Sequence, residues 1–147
     1  MRTFIGDIFG NLTRFDSVFI TTNGFVKHNG ACVMGAGIAR VVRDRFPGID
    51  RKLGAYINKY GNRAFNLFEL HGIRFLSFPV KHNWWEQADI ELIRTSAQQA
   101  MELADKFGLK NIALPQPGCG NGKLDWSIVE PVLSGILDDR FIICSFK

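Results

Sequence analysis

The chain has 147 residues, 46% hydrophobic, 12% aromatic and 22% charged, which suits one soluble domain with a sizeable buried core and excludes a disordered or multidomain chain. No apolar run reaches the roughly 18 residues of a membrane span, and the N-terminal Met1-Arg2-Thr3-Phe4-Ile5-Gly6-Asp7 turns polar too early for a secretory signal. The formal charge of +4, from 18 Lys and Arg against 14 Asp and Glu, is scattered along the chain, so it suits a phosphate-bearing ligand as well as a nucleic acid.

A single cytoplasmic domain over residues 1–147, without membrane contact, is therefore the expectation. Cys32, Cys119 and Cys144 are odd in number, widely spaced and without metal-ligand spacing, which disfavours a disulfide framework or a structural zinc site. Thirteen Phe against two Tyr assign most of the aromatic mass to the core.

In chain order, the β-branched and aromatic run 17–21, bounded by Asp16 and the turn signal Asn23-Gly24, predicts a strand. Residues 37–46 predict a helix, with Ile38, Val41, Val42 and Phe46 on one face and Pro47-Gly48 stopping it. A short helix over 51–59 follows, ended by Gly61. Strands 64–70 and 74–80 meet at His71-Gly72 as an antiparallel hairpin. The strongest periodicity runs from Asp89 to Phe107, where Ile90, Ile93, Ala97, Ala100, Met101 and Ala104 mark one helical face and Gly108 the C-cap. A buried strand over 111–114 ends at Pro115, a helix over 126–137 takes Asp125 as its N-cap, and a strand over 141–144 closes the chain. This alternation predicts a three-layer α/β/α domain with a mixed, mostly parallel sheet, whose ligands bind beyond the carboxyl ends of the strands.

Three segments carry chemistry. Val33-Met34-Gly35-Ala36-Gly37-Ile38-Ala39 leads into a helix, so its backbone N–H groups can hold an oxyanion or a sugar hydroxyl; a tight turn needing small residues is the alternative. It is not a dinucleotide fingerprint, because Arg40 takes the third glycine's position and no acidic residue follows about 20 residues on. Pro115-Gln116-Pro117-Gly118-Cys119-Gly120-Asn121-Gly122 follows a buried strand, and its glycines can form a concave nest of amides for a diphosphate. Phe78-Pro79-Val80-Lys81-His82-Asn83-Trp84-Trp85 brings a lysine out of a buried strand ahead of two tryptophans. That arrangement can tune an amine for nucleophilic or electrostatic work, the alternative being a solvated lysine beside a packed tryptophan pair.

Together these segments resemble the macrodomain family of ADP-ribose-binding α/β/α modules along essentially the whole chain. Gly6-Asp7-Ile8 matches the family's Gly-Asp-Ile, which implies that Asp7, next to Ile8, receives the adenine amino group. Residues 16–23 lie over the run ending Asn-Ala-Ala-Asn, which implies that Asn23 faces the distal ribose; Asn29 is a second candidate, and Ile20 replaces the pattern's first asparagine. Met34-Gly35-Ala36-Gly37-Ile38-Ala39 is similar to the Met-Gly-x-Gly-Ile-Ala loop of two hydrolase branches, one acting on proteins and one, an antitoxin, on DNA. Phe78-Pro79-Val80-Lys81 resembles the antitoxin branch's Phe-Pro-Thr-Lys, which implies a catalytic Lys81. Gly118-Cys119-Gly120-Asn121-Gly122-Lys123-Leu124-Asp125-Trp126 is close to that branch's Gly-Cys-Gly-Asn-Gly-x-Leu-Asp-Trp. The protein-directed branch carries an aspartate where this chain has Gly122, leaving Asp125 as a helix cap or a catalytic substitute. Phe146, just after the last strand, fits the ring that stacks on adenine, with a core phenylalanine as the alternative.

The resemblance implies binding of ADP-ribose or an ADP-ribosylated macromolecule, with nucleic-acid contact among the expectations. It further implies hydrolysis at the distal ribose anomeric carbon, with Pro117 and residues 118–122 on the diphosphate and no metal or cofactor. A non-catalytic reader and an ADP-ribose 1″-phosphate phosphatase are the alternatives.

Overall fold

The computed structural model describes residues 1–146. Strands β1 (Arg2–Ile5), β2 (Ser17–Asn23), β3 (Asn66–Leu70), β4 (Ile73–Lys81), β5 (Ile112–Pro115) and β6 (Phe141–Ser145) form one sheet in the order β1-β6-β5-β2-β4-β3. All neighbours pair in parallel except β3, which pairs antiparallel with β4 across the His71-Gly72 turn. Helices α1 (Gly37–Arg45), α2 (Ile49–Tyr60), α3 (Ile90–Phe107) and α4 (Trp126–Ser134) supply the outer layers.

Period-2 alternation sorts the strand residues onto two faces. Phe19, Leu76, Phe78, Leu114, Phe141 and Ile143 bury against Ile93, Ala97, Ala100 and Ala104 of α3 and Val129 and Leu133 of α4. Val18, Ile20, Phe75, Ala113 and Ile142 turn the other way, against Ala39 and Val42 of α1 and Ile49 and Leu53 of α2. Each fully buried Leu, Ile or Phe contributes about 1.5–3 kcal/mol, and both faces of the central strands take part. The three-layer arrangement with a mixed, mostly parallel sheet is the one expected.

Several boundaries differ from the sequence reading. Strand β1 and a 3-10 helix over Phe9–Arg14 were not predicted, because β1 is a four-residue edge strand with three exposed positions and the 3-10 helix buries no residue. Helix α4 stops at Ser134, and Ile136 and Leu137 fold back onto the Leu133 carbonyl at 3.0 and 2.8 Å instead of extending it. Strand β3 starts at Asn66, because the Ala64 N–H donates to Gln99 Oε1 at 2.9 Å. Helix α2 starts two residues earlier than expected, at Ile49, behind Gly48 in a left-handed conformation. Among the described residues no helix is long and apolar enough to cross a membrane.

Candidate functional site

The parallel strands β2, β4 and β5 end on the same edge of the sheet, and their following loops surround a cavity of about 670 Å³. That volume is in the range of small-molecule sites, and its position beyond the carboxyl strand ends is the one such sheets favour. At its floor, Asn23 and Lys81 are register partners where β2 and β4 end. The glycine segment before α1 contributes Met34, Gly35, Ala36, Gly37 and Ala39, and the loop after β5 contributes Gly118, Gly120, Asn121 and Gly122. The two loops face each other, since a Cβ on Gly37 would stand 3.9 Å from the Asn121 amide nitrogen.

The Asn23 side chain is fully employed in shaping this site. Its amide donates to the Val33 carbonyl at 2.9 Å and its Oδ1 accepts the Phe25 N–H at 2.9 Å, tying the strand end to the start of the glycine segment. Helix α2 holds the same segment from behind. The Cys32 N–H donates to the Asp50 carbonyl at 2.9 Å, and a Cβ on Gly54 would meet the Gly30 carbonyl oxygen at 1.9 Å, so the helix lies directly on the loop. Burial, helped by the Asp50 charge, pushes the Cys32 thiol up to about 12, making it a packing group rather than a nucleophile.

Lys81 is half-buried at the cavity wall, and its Nζ donates to the Trp84 carbonyl at 3.2 Å. Burial first, and then the positive charge of Lys123, lower its proton affinity below that of an ordinary lysine. His82 turns away to pair with Asp89 at 2.8 Å. Asp89 in turn caps α3 by accepting the Glu91 and Leu92 N–H groups, and its carboxyl is held below the usual range, chiefly by the His82 hydrogen bond. Trp84 and Trp85 stand exposed at the rim, a different outcome from the packed pair weighed above.

Other sequence candidates lie outside the lining. Asp125 caps α4 through Ser127, whose N–H and hydroxyl donate to Oδ1 at 2.9 and 2.8 Å and hold the carboxyl below its ordinary range. Asn29 closes a turn by accepting the Ala31 N–H at 3.0 Å. Ile8 and Ile38 pack into the core beneath α1, and Pro117 is buried under its loop. The Cys119 thiol, beside Pro117, is pushed up to about 11, by burial first and the Asp125 charge second. Asp7 and Phe146 sit beside each other at the carboxyl ends of β1 and β6, where the Gly6 N–H donates to the Ser145 carbonyl at 2.8 Å. Asp7 accepts the Gly10 N–H at 3.0 Å, and Phe146 is 80% exposed.

The lining also holds Thr21, Thr22, Gln87, Gln116 and Lys123, which the sequence reading did not assign. Only their positions next to assigned strand ends and loops could have signalled them. Among the described residues no group of three or more His, Cys, Asp or Glu is placed to share a metal ion.

A Macro domain family model matches residues 27–133. The DNA ADP-ribosyl transferase–DNA ADP-ribosyl glycohydrolase fusion protein of Thermosipho africanus (strain H17ap60334) is 28% identical over 151 residues, which cover 87% of this chain and 36% of that protein. This chain thus spans little more than a third of the curated relative's length. Thermosipho africanus DarTG, solved in complex with ADP-ribose, matches with a TM-score of 0.78 and 28% identity over 95% of this chain and 39% of its own. The macrodomain of Mycobacterium tuberculosis DarG shares the fold with a TM-score of 0.78, at 22% identity over 97% of this chain and 95% of its own.

Proposed function

The chain belongs to the macrodomain family, and from that premise we propose that it binds ADP-ribose and hydrolyses the bond at the distal ribose anomeric carbon, releasing ADP-ribose from modified DNA in preference to protein. The observation that carries this reading is the half-buried Lys81 amine, with lowered proton affinity, in the same cavity as two facing glycine loops. The DNA preference draws on the relatives of known title, which are DNA-directed, and on Gly122 standing where the protein-directed branch carries an aspartate.

In this reading Asp7 and Phe146 take the adenine, and the amides of residues 118–122 take the diphosphate. The segment from Met34 to Ala39 shapes the distal-ribose pocket, held by Asn23, and no cofactor or metal takes part. Holding the ribose against Lys81 converts a bimolecular encounter into a positioned one. The neutral amine forms a bond to the anomeric carbon as the bond to the base breaks; the electron pair leaves with the base, which takes a proton from water. Water then displaces the amine, giving free ADP-ribose and regenerating Lys81. A charged lysine would oppose the positive charge that builds on the sugar, so the lowered proton affinity favours the neutral form. Asp125, committed to the α4 cap, is not needed in this sequence of steps.

A reader that holds ADP-ribose without turning it over is the second reading, favoured by the scarcity of acid groups in the cavity, where Glu86 is the carboxylate among the described lining residues. The test is incubation of the protein with an ADP-ribosylated DNA oligonucleotide and with an ADP-ribosylated protein, following free ADP-ribose. Release from the oligonucleotide at the higher rate is expected. Tight ADP-ribose binding by calorimetry with no release from either substrate selects the reader.

A further inference from the structure

We infer that the Trp84–Trp85 pair is the subsite for the group to which ADP-ribose is attached, and that this group is a nucleobase of a single-stranded nucleic acid; the inference rests on Lys81 acting at the anomeric carbon. The Lys81 amine is hydrogen-bonded to the Trp84 carbonyl, so whatever is one bond away from the anomeric carbon lies in the corner that these two residues rim. Trp84 is 52% exposed and Trp85 58%, an unusual cost in apolar surface beside a polar cavity.

The rings are held in place rather than left loose. Trp85 meets Phe25 edge-on at 5.4 Å, and Trp84 meets Trp85 edge-on at 5.5 Å. Phe25 is itself pinned: its N–H donates to Asn23 Oδ1, its carbonyl accepts the Val33 N–H at 3.0 Å, and the Gly24 N–H before it donates to the Lys81 carbonyl at 3.1 Å. The far end of the tryptophan loop is tied by the Ala88 N–H to the Gly122 carbonyl at 3.0 Å. A fixed, solvent-facing indole pair favours a flat partner, because a base stacks on it without ordering either side. A flexible amino-acid side chain gains no such benefit. Single-stranded nucleic acid presents such a base, and exposed Lys123 in the same lining suits its phosphates.

The test measures affinities in a Lys81→Ala background, which keeps the ligands intact, for free ADP-ribose, an ADP-ribosylated single-stranded DNA oligonucleotide and an ADP-ribosylated peptide. Adding Trp85→Ala is expected to weaken the oligonucleotide about tenfold, equivalent to about 1.4 kcal/mol, and at least fivefold more than either other ligand. Trp85→Phe should recover most of that loss. Equal losses across the three ligands, or no loss on the oligonucleotide, overturn the assignment. Failure of free ADP-ribose to bind before Trp85 is changed overturns the underlying reading of the cavity instead.

Discussion

In the segment before α1 the glycines face space: a Cβ on Gly35 would meet nothing nearer than a Val33 methyl at 3.9 Å, and one on Gly37 nothing nearer than the Asn121 amide. In the loop after β5 the outer glycines are walled in. A Cβ on Gly122 would stand 2.4 Å from the Gly118 carbonyl oxygen and 2.7 Å from the Ala88 Cβ, and one on Gly118 2.8 Å from Ile93. Gly118 also sits at φ +77°, which only glycine adopts without strain. Between them, Gly120 has nothing within 4 Å. Similar glycine content therefore serves two ends: an open rim in one loop and, in the other, a tight fold that offers a single open glycine to the cavity.

That contrast can be broken by substitution. Gly122→Ala has the largest expected effect, a loss of about 3 kcal/mol from overpacking against backbone, read as a Tm lowered by about 6–12 °C. A Tm within a degree of wild type would show that the loop is not packed as described. Gly120→Ala is expected to keep the Tm, or raise it slightly through the unfolded chain, while weakening ADP-ribose about tenfold, or about 1.4 kcal/mol, by calorimetry.

The electrostatic partner of the same loop gives a third test. Lys123 helps to hold the Lys81 proton affinity down, so Lys123→Ala raises it and moves the rising limb of the pH–rate profile towards higher pH. A profile that stays in place or moves lower would remove Lys81 titration from the rate. The smallest effect belongs to Phe146→Ala: the ring, 80% exposed, contributes about 1 kcal/mol by offset stacking on adenine, so ADP-ribose affinity should fall about fivefold.

What the sequence made legible follows from how strongly burial repeats along the chain. β2, the β3–β4 hairpin and α3 carry clean alternation or helical spacing, because both faces of the sheet and one face of α3 are buried. β1 has no such pattern because its four residues are mostly exposed, and it is held by backbone pairing to β6, which lies 140 residues away in register at Arg2 and Ile142. At the site, glycine runs and a lysine leaving an apolar strand mark the loops that line the cavity. Local sequence does not reveal that Asn23 spends its amide on Val33 and Phe25, or that Gly118 and Gly122 answer to Ala88 and Ile93, since those partners come from other elements. Lys123 was quoted in a motif without a role; its influence on Lys81 arises only when two loops meet.

The most direct test of the central claim is single-turnover hydrolysis of an ADP-ribosylated single-stranded DNA oligonucleotide by wild-type protein and by Lys81→Ala, each also titrated with ADP-ribose. The account predicts a rate lower by about a hundredfold or more for the variant, the scale of a lost nucleophile or proton-transfer group, with binding of ADP-ribose retained. Equal rates for the two proteins would contradict it.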